Sequence, residues 1–108
     1  MVEHTFQLDH VFSSLADPTR RDILMRVARK ELSIGEVAEP YDMTLAAVSK
    51  HLAVLQKAKL IRKRRRGKQQ FIRLIPHGLK EANLCLRRYQ VIWEDQLDSL
   101  EEFLKKTT

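Results

Sequence analysis

Apolar positions in this chain recur at helical spacing over most of its length and at strand spacing in one short stretch. Leu8, Val11, Phe12 and Leu15 follow the i, i+3, i+4, i+7 order of one helix face. Ala16-Asp17-Pro18 stops that helix and starts the next. Asp17 can accept from the free N–H groups of a first turn, and Pro18 suits the first helical position, where no N–H is needed. Ile23, Leu24, Val27 and Ala28 give the second helix its expected buried stripe, with Arg20, Arg21, Arg26 and Arg29 mostly outside it. Ser33-Ile34-Gly35-Glu36 has the form of a capping box and opens a short third helix that Pro40 interrupts. Thr44 caps a fourth, over 44–58, in which Leu45, Val48, Leu52 and Leu55 are expected to face the core. Ala46, Ala47, Lys50 and Val54 then lie on its opposite face.

Leu60 and Ile61 begin an extended stretch, and Phe71, Ile72, Leu74 and Ile75 finish one, with Gly67 the only turn former between them. The pattern predicts a β-hairpin with its tip at Arg66-Gly67-Lys68, ended by Pro76. Beyond it, Leu79, Ala82, Leu86, Tyr89, Trp93, Leu97, Leu100 and Leu104 recur every three or four residues. They predict an amphipathic helix over about 78–105, in which the stripe from Leu79 to Leu104 is roughly 39 Å long at about 1.5 Å per residue. So small a core cannot cover it all; Tyr89 is expected to close the chain's own core and the later leucines to need a partner. The order is that of a mainly α fold with a small β-hairpin, in a single domain over 1–108.

Charge changes the picture. Of the twenty Lys/Arg residues, eleven fall between Met43 and Lys80, a stretch without one Asp or Glu. The remaining positions hold nine bases and fourteen acids, so a basic block sits in an otherwise acidic chain. A helix followed by a basic hairpin suits duplex DNA, whose phosphates are neutralised by cations with release of counterions. No apolar run approaches the roughly 20 residues that span a bilayer. MVEHTFQLDH lacks the basic-then-apolar layout of a secretory signal. With Cys85 as the one cysteine, no internal disulfide can form, and a cytoplasmic setting is the simplest expectation. There is no Gly-rich phosphate loop, no H-E-x-x-H, and no Ser or Cys at a recognisable spacing from a His and a carboxylate, so no catalytic residue and no cofactor is expected.

Two strings carry a family resemblance: Leu15-Ala16-Asp17-Pro18-Thr19-Arg20-Arg21-Asp22-Ile23-Leu24 and Ala47-Val48-Ser49-Lys50-His51-Leu52-Ala53-Val54-Leu55. Leu60-Ile61 leading into the hairpin and Arg66-Gly67-Lys68 at its tip extend it. Over nearly its whole length the chain resembles the ArsR family of bacterial and archaeal winged helix-turn-helix regulators. The resemblance implies a homodimer that binds DNA and usually represses promoters. Where the metal-sensing branch carries Cys-x-Cys, this chain has Leu32-Ser33-Ile34-Gly35-Glu36-Val37. Neither Ser nor Ile replaces a thiolate for soft metals. The paired Asp/His pattern of the zinc sensors is also missing from the last helix, so no metal ligand is assigned. Lys59 stands where the family often has Gly closing the recognition helix.

The fourth helix is the expected reader of the major groove. Thr44, Ala46, Ala47 and Lys50 are its groove-facing candidates: Lys50 for guanine O6/N7, the alanine methyls for a thymine methyl. Ser49 and His51 flank that face, and the resemblance implies phosphate or base-edge bonds for them. Arg64, Arg65, Arg66, Lys68 and Gln69 form the expected wing tip, reaching backbone or minor groove. Leu8, Val11 and Phe12, with Trp93, Leu97, Leu100 and Leu104, are the expected dimer surface, formed by terminal helices at about 5–15 and 78–105. The residues leave two other readings open: a winged-helix module for RNA or a protein, and a regulator sensing metal at a non-standard site such as His4, Asp9 and His10. They also leave open whether a small-molecule effector exists.

Overall fold

Three of the helices start where a side chain takes up unpaired N–H groups of a first turn. The computed structural model of the chain describes residues 2–107, with side chains from residue 7 onward, so the side chain of His4 lies outside the described residues. Helix α1 (Val2–Leu15) leads into α2 (Pro18–Arg29), whose N-cap Asp17 accepts from the Arg20 N–H at 3.0 Å. That bond, first among its causes, holds the Asp17 carboxyl below the ordinary carboxylate range. Strand β1 (Leu32–Ser33) follows, then α3 (Ile34–Ala38), which Ser33 and Glu36 open with a complete capping box. Helix α4 (Leu45–Lys57) is capped by Thr44, strands β2 (Ile61–Arg66) and β3 (Gln69–Leu74) form the wing, and α5 (His77–Thr107) ends the chain.

The hairpin has an unforeseen third strand. β1 pairs with β3 through Leu32 opposite Ile72 and Ser33 opposite Phe71, giving an antiparallel sheet in the order β1-β3-β2. The inner face of the sheet carries Ile61 and Ile72 into a core with Ile23, Leu24, Val27, Val37, Val48, Leu52, Leu55 and Leu60. Burying each of these larger aliphatic side chains contributes on the order of 1.5–3 kcal/mol. Helix α4 closes in a Schellman motif: the Lys59 N–H donates to Gln56 O at 2.9 Å and the Leu60 N–H to Leu55 O at 3.0 Å. Lys59 takes the left-handed φ of 59° that the motif requires.

Three expectations about packing need correction. Ala28 is exposed, because the second helix buries only Ile23, Leu24 and Val27 and turns its last stretch outward. Tyr89 is 56% exposed and does not close the core, since α5 leaves the body of the domain just after Ala82, its last buried residue. Val11 has no surface to give a partner; it is fully buried against its own chain's core. The departure of α5 explains the shape. The radius of gyration is 18.6 Å and the molecule measures 66 × 35 × 21 Å, where a compact chain of about 100 residues would have a radius near 13 Å.

Candidate nucleic-acid interface

The first turns of α4 present a smooth, weakly charged surface. Thr44 Oγ1 accepts from the Ala47 N–H at 3.1 Å, which fixes the start of the helix. Ala46, Ser49 and Lys50 are exposed and Ala47 is half-buried, while Val48, Leu52 and Leu55 anchor the opposite side. Leu45 departs from the expected core stripe and is 59% exposed. Its Cβ tilts back toward the helix N-terminus, past the last layer that Val48 reaches. There it lines an open groove with Ser33, Ile34, Gly35, Lys68, Gln69 and Gln70, between α3, α4 and the wing tip.

His51 is less open than a surface histidine, with its side chain 20% exposed. Its Nδ1 lies 3.3 Å from Nη1 of Arg20 and 3.9 Å from Oδ2 of Asp17. Arg20 in turn donates through Nε to Ser14 O at 2.7 Å and through Nη2 to Ser13 O at 3.2 Å. One guanidinium thus covers two carbonyls at the end of α1, where helical partners run out, and reaches across to α4.

The wing sorts its cations by strand alternation. Arg62 faces Arg73, Arg64 faces Phe71 and Arg66 faces Gln69 across the ladder, so these arginines share the outer face of the sheet. Lys63, opposite Ile72, and Arg65, opposite Gln70, point the other way. Gly67 makes the turn with φ 64°, a conformation glycine adopts without penalty. Arg65 Nε donates to Gly67 O at 3.2 Å. Arg66 is held twice, by an ion pair with Glu31 and by stacking 4.2 Å above the Phe71 ring. Arg64 and Lys68 have no ion-pair or hydrogen-bond partner among the described residues. Lys68 and Gln69 are exposed at the tip.

With this geometry in view, comparison with known proteins is decisive. Residues 15–64 match a family model described as a helix-turn-helix domain. The chain is 38% identical over 81 residues to the HTH-type transcriptional regulator Rv2034 of Mycobacterium tuberculosis, covering 75% of this chain and 76% of that one. It superposes with a TM-score of 0.78 on the crystal structure of an ArsR family transcriptional regulator, RHA00566, at 32% identity, covering 83% of this chain and 93% of the other. The chain belongs to the ArsR family. It is a DNA-binding transcriptional regulator with the winged helix-turn-helix fold. A further similar structure is the homodimeric winged helix-turn-helix DNA-binding domain Mb0332 from Mycobacterium bovis, at 26% identity and a TM-score of 0.63, covering 87% of this chain and 84% of that one.

In this ArsR-family chain the terminal helices carry a second, apolar surface. Phe12 is 37% exposed, Trp93 49%, Leu97 60%, Leu100 53% and Leu104 54%, whereas Leu8 is half-buried against the core. Ile92 and Phe103, absent from the expected set, lie beside the stripe and are about 60% exposed. Sequence reasoning also missed Arg20, Glu31 and Leu45 around the DNA-facing side. The signal for Arg20 was present in its place three residues after a capping Asp17, but nothing local names its partner on α4.

Proposed function

We propose that the chain works as a homodimeric repressor, inserting α4 of each protomer into the major groove of a palindromic operator while the wing grips the flanking backbone. The observation that carries this reading is the pairing of a capped helix end, exposing Ala46, Ser49 and Lys50, with a wing tip whose Arg64 and Lys68 have no protein partner among the described residues. Close approach needs the small residues; phosphate neutralisation needs the unpaired cations. Thr44 and Ala47 complete the reading edge, His51 flanks it, and Arg65, Arg66 and Gln69 complete the wing. The exposed stripe of Trp93, Leu97, Leu100 and Leu104, with Phe12 and the free edge of Leu8, supports pairing of two copies through their terminal helices. A two-fold axis then sets the two recognition helices about 34–36 Å apart, one turn of duplex. Such a dimer on a promoter excludes polymerase, and this repression takes place in the cytoplasm with the chromosome. No described helix is long and apolar enough to cross a membrane.

Footprinting of the purified chain on its own upstream region tests the reading. A protected palindrome is expected, competed by duplex DNA and not by structured RNA; preference for the RNA overturns it. Replacing Leu97 and Leu100 by Glu should give monomers in sedimentation and loss of the footprint, and an intact dimer would refute this interface.

A further inference from the structure

We propose that Arg20 is a positioning residue for DNA binding, holding His51 as the Nε2–H tautomer so that its ring offers a neutral donor to a backbone phosphate. The inference rests on α4 being the DNA-reading helix and adds how one side chain on it is set. An arginine guanidinium stays protonated and has only donors. Its Nη1 lies 3.3 Å from His51 Nδ1, so that nitrogen must be the acceptor and the proton of the neutral ring sits on Nε2. The competing arrangement would turn an imidazole N–H against a guanidinium N–H. Its only acceptor would be Asp17 Oδ2, 3.9 Å away and already accepting from the Arg20 backbone N–H at 3.0 Å. Nε2 occupies the other side of the ring and has no hydrogen-bond partner among the described residues.

Arg20 suits this task because it is fixed before any DNA arrives. Two of its N–H directions are tied to Ser13 O and Ser14 O, so the fork points its third at His51 with little freedom left to lose. A lysine would keep the positive charge at the end of α1 but could not hold three separate acceptors in one plane. The place of His51 on α4 also selects the acceptor. It sits about 100° around the helix from Lys50, between the exposed face and the buried stripe of Val48, Leu52 and Leu55. A side chain on that flank meets the sugar-phosphate wall of a groove sooner than its floor.

Nitrogen-15 ring spectra of the histidines in the free full chain read the tautomer directly. The Nε2–H form of His51 is expected in the wild type, with the preference lost in Arg20→Lys and Arg20→Met. An Nδ1–H form in the wild type overturns the proposal, whether or not either variant folds. Binding to a mixed-sequence duplex of about 30 base pairs then tests the phosphate bond. His51→Ala should weaken binding roughly tenfold while leaving the salt dependence unchanged, because a neutral donor displaces no counterion. Arg20→Met should weaken it similarly in the wild type and at most about twofold in the His51→Ala background. Equal losses in both backgrounds overturn the positioning role. Unchanged affinity in His51→Ala, with the wing and Lys50 variants still impaired, overturns the phosphate bond while leaving α4 as the reading helix. A salt slope that falls with His51→Ala would show a charged ring and overturn the neutral tautomer.

Discussion

If α4 and the wing bind one duplex as proposed, they do so with opposite economies of charge. Helix α4 offers one lysine on its exposed first turns, with Ser49 exposed beside it; Thr44 is fixed by the Ala47 N–H and His51 by Arg20. The wing offers five cations in succession from Arg62 to Arg66; Arg66 is held by Glu31 and Phe71 and Arg65 by Gly67 O, while Arg64 has no such partner among the described residues. Rigid, nearly neutral groups suit discrimination, since a misplaced donor on a base edge is penalised. Mobile cations suit attraction, because a phosphate accepts from many directions and carries no sequence information. On the proposed reading, affinity and specificity are divided between two adjacent elements of the domain.

The division is most severely tested at the wing. Replacing Arg64, Arg65 and Arg66 together by Ala should weaken binding to all duplexes on the order of a hundredfold at physiological salt. It should also lower the slope of log affinity against log salt by about 0.9 for each phosphate no longer neutralised. A loss confined to one operator base would break the comparison. Within the wing, Arg64→Ala should lose more than Arg66→Ala, whose guanidinium must first leave Glu31. On the helix, Lys50→Ala is expected to lose about 1–3 kcal/mol on the operator, with relaxed discrimination at one base pair. A uniform loss on every sequence would turn Lys50 into another wing-like cation. A smaller effect, on folding, is expected at the two ends of α4. Thr44→Ala should destabilise the domain by about 1 kcal/mol in urea unfolding. Lys59→Gly should stabilise it by up to about 1 kcal/mol, because the left-handed φ of 59° no longer opposes a side chain.

The smallest expected effect concerns acid. The folded-state pKa of Asp17 is depressed by the Arg20 N–H, and that of Glu36 by the Ser33 N–H. A depressed carboxylate adds stability above its unfolded value, and that stability is lost as the pH falls through the folded value, here below about pH 4. Asp17→Asn should therefore flatten the acid limb of the unfolding profile. An unchanged limb would show that the cap does not stabilise the charged form.

Local chemistry was legible in the sequence and long-range geometry was not. The caps at Asp17, Ser33 and Thr44 could be read because donor and acceptor lie three residues apart. The two-residue strand Leu32–Ser33 could not, since what makes it a strand is pairing with Phe71 and Ile72 far along the chain. Periodicity gave the direction of Leu45 around α4 but not where along the helix the core stops. It likewise placed Val11 and Phe12 on one face without telling which the chain keeps for itself. The Arg20–His51 link joins residues 31 apart, beyond any local pattern. The exposed face of α4 and the wing tip were nevertheless foreseen, because charge and spacing there act within single elements.

Gly78 gives the molecule a pivot. A Cβ there would meet Leu60 Cδ2 at 2.9 Å, Val11 Cγ2 at 3.4 Å and Ala58 O at 3.7 Å, and Leu60 is itself fully buried. The root of α5 is thus clamped on the turn that ends the recognition helix. The whole helix has 31 residues and is about 46 Å long at about 1.5 Å per residue, and beyond Ala82 it runs outward as a beam. Over that length, a tilt of about 10° at the root displaces the far end by about 8 Å. Because that root packs against Ala58 and Leu60, it and the closing turn of α4 form one packed unit. If two copies pair through α5 as proposed, the angle at which they meet sets the spacing of their two α4 helices.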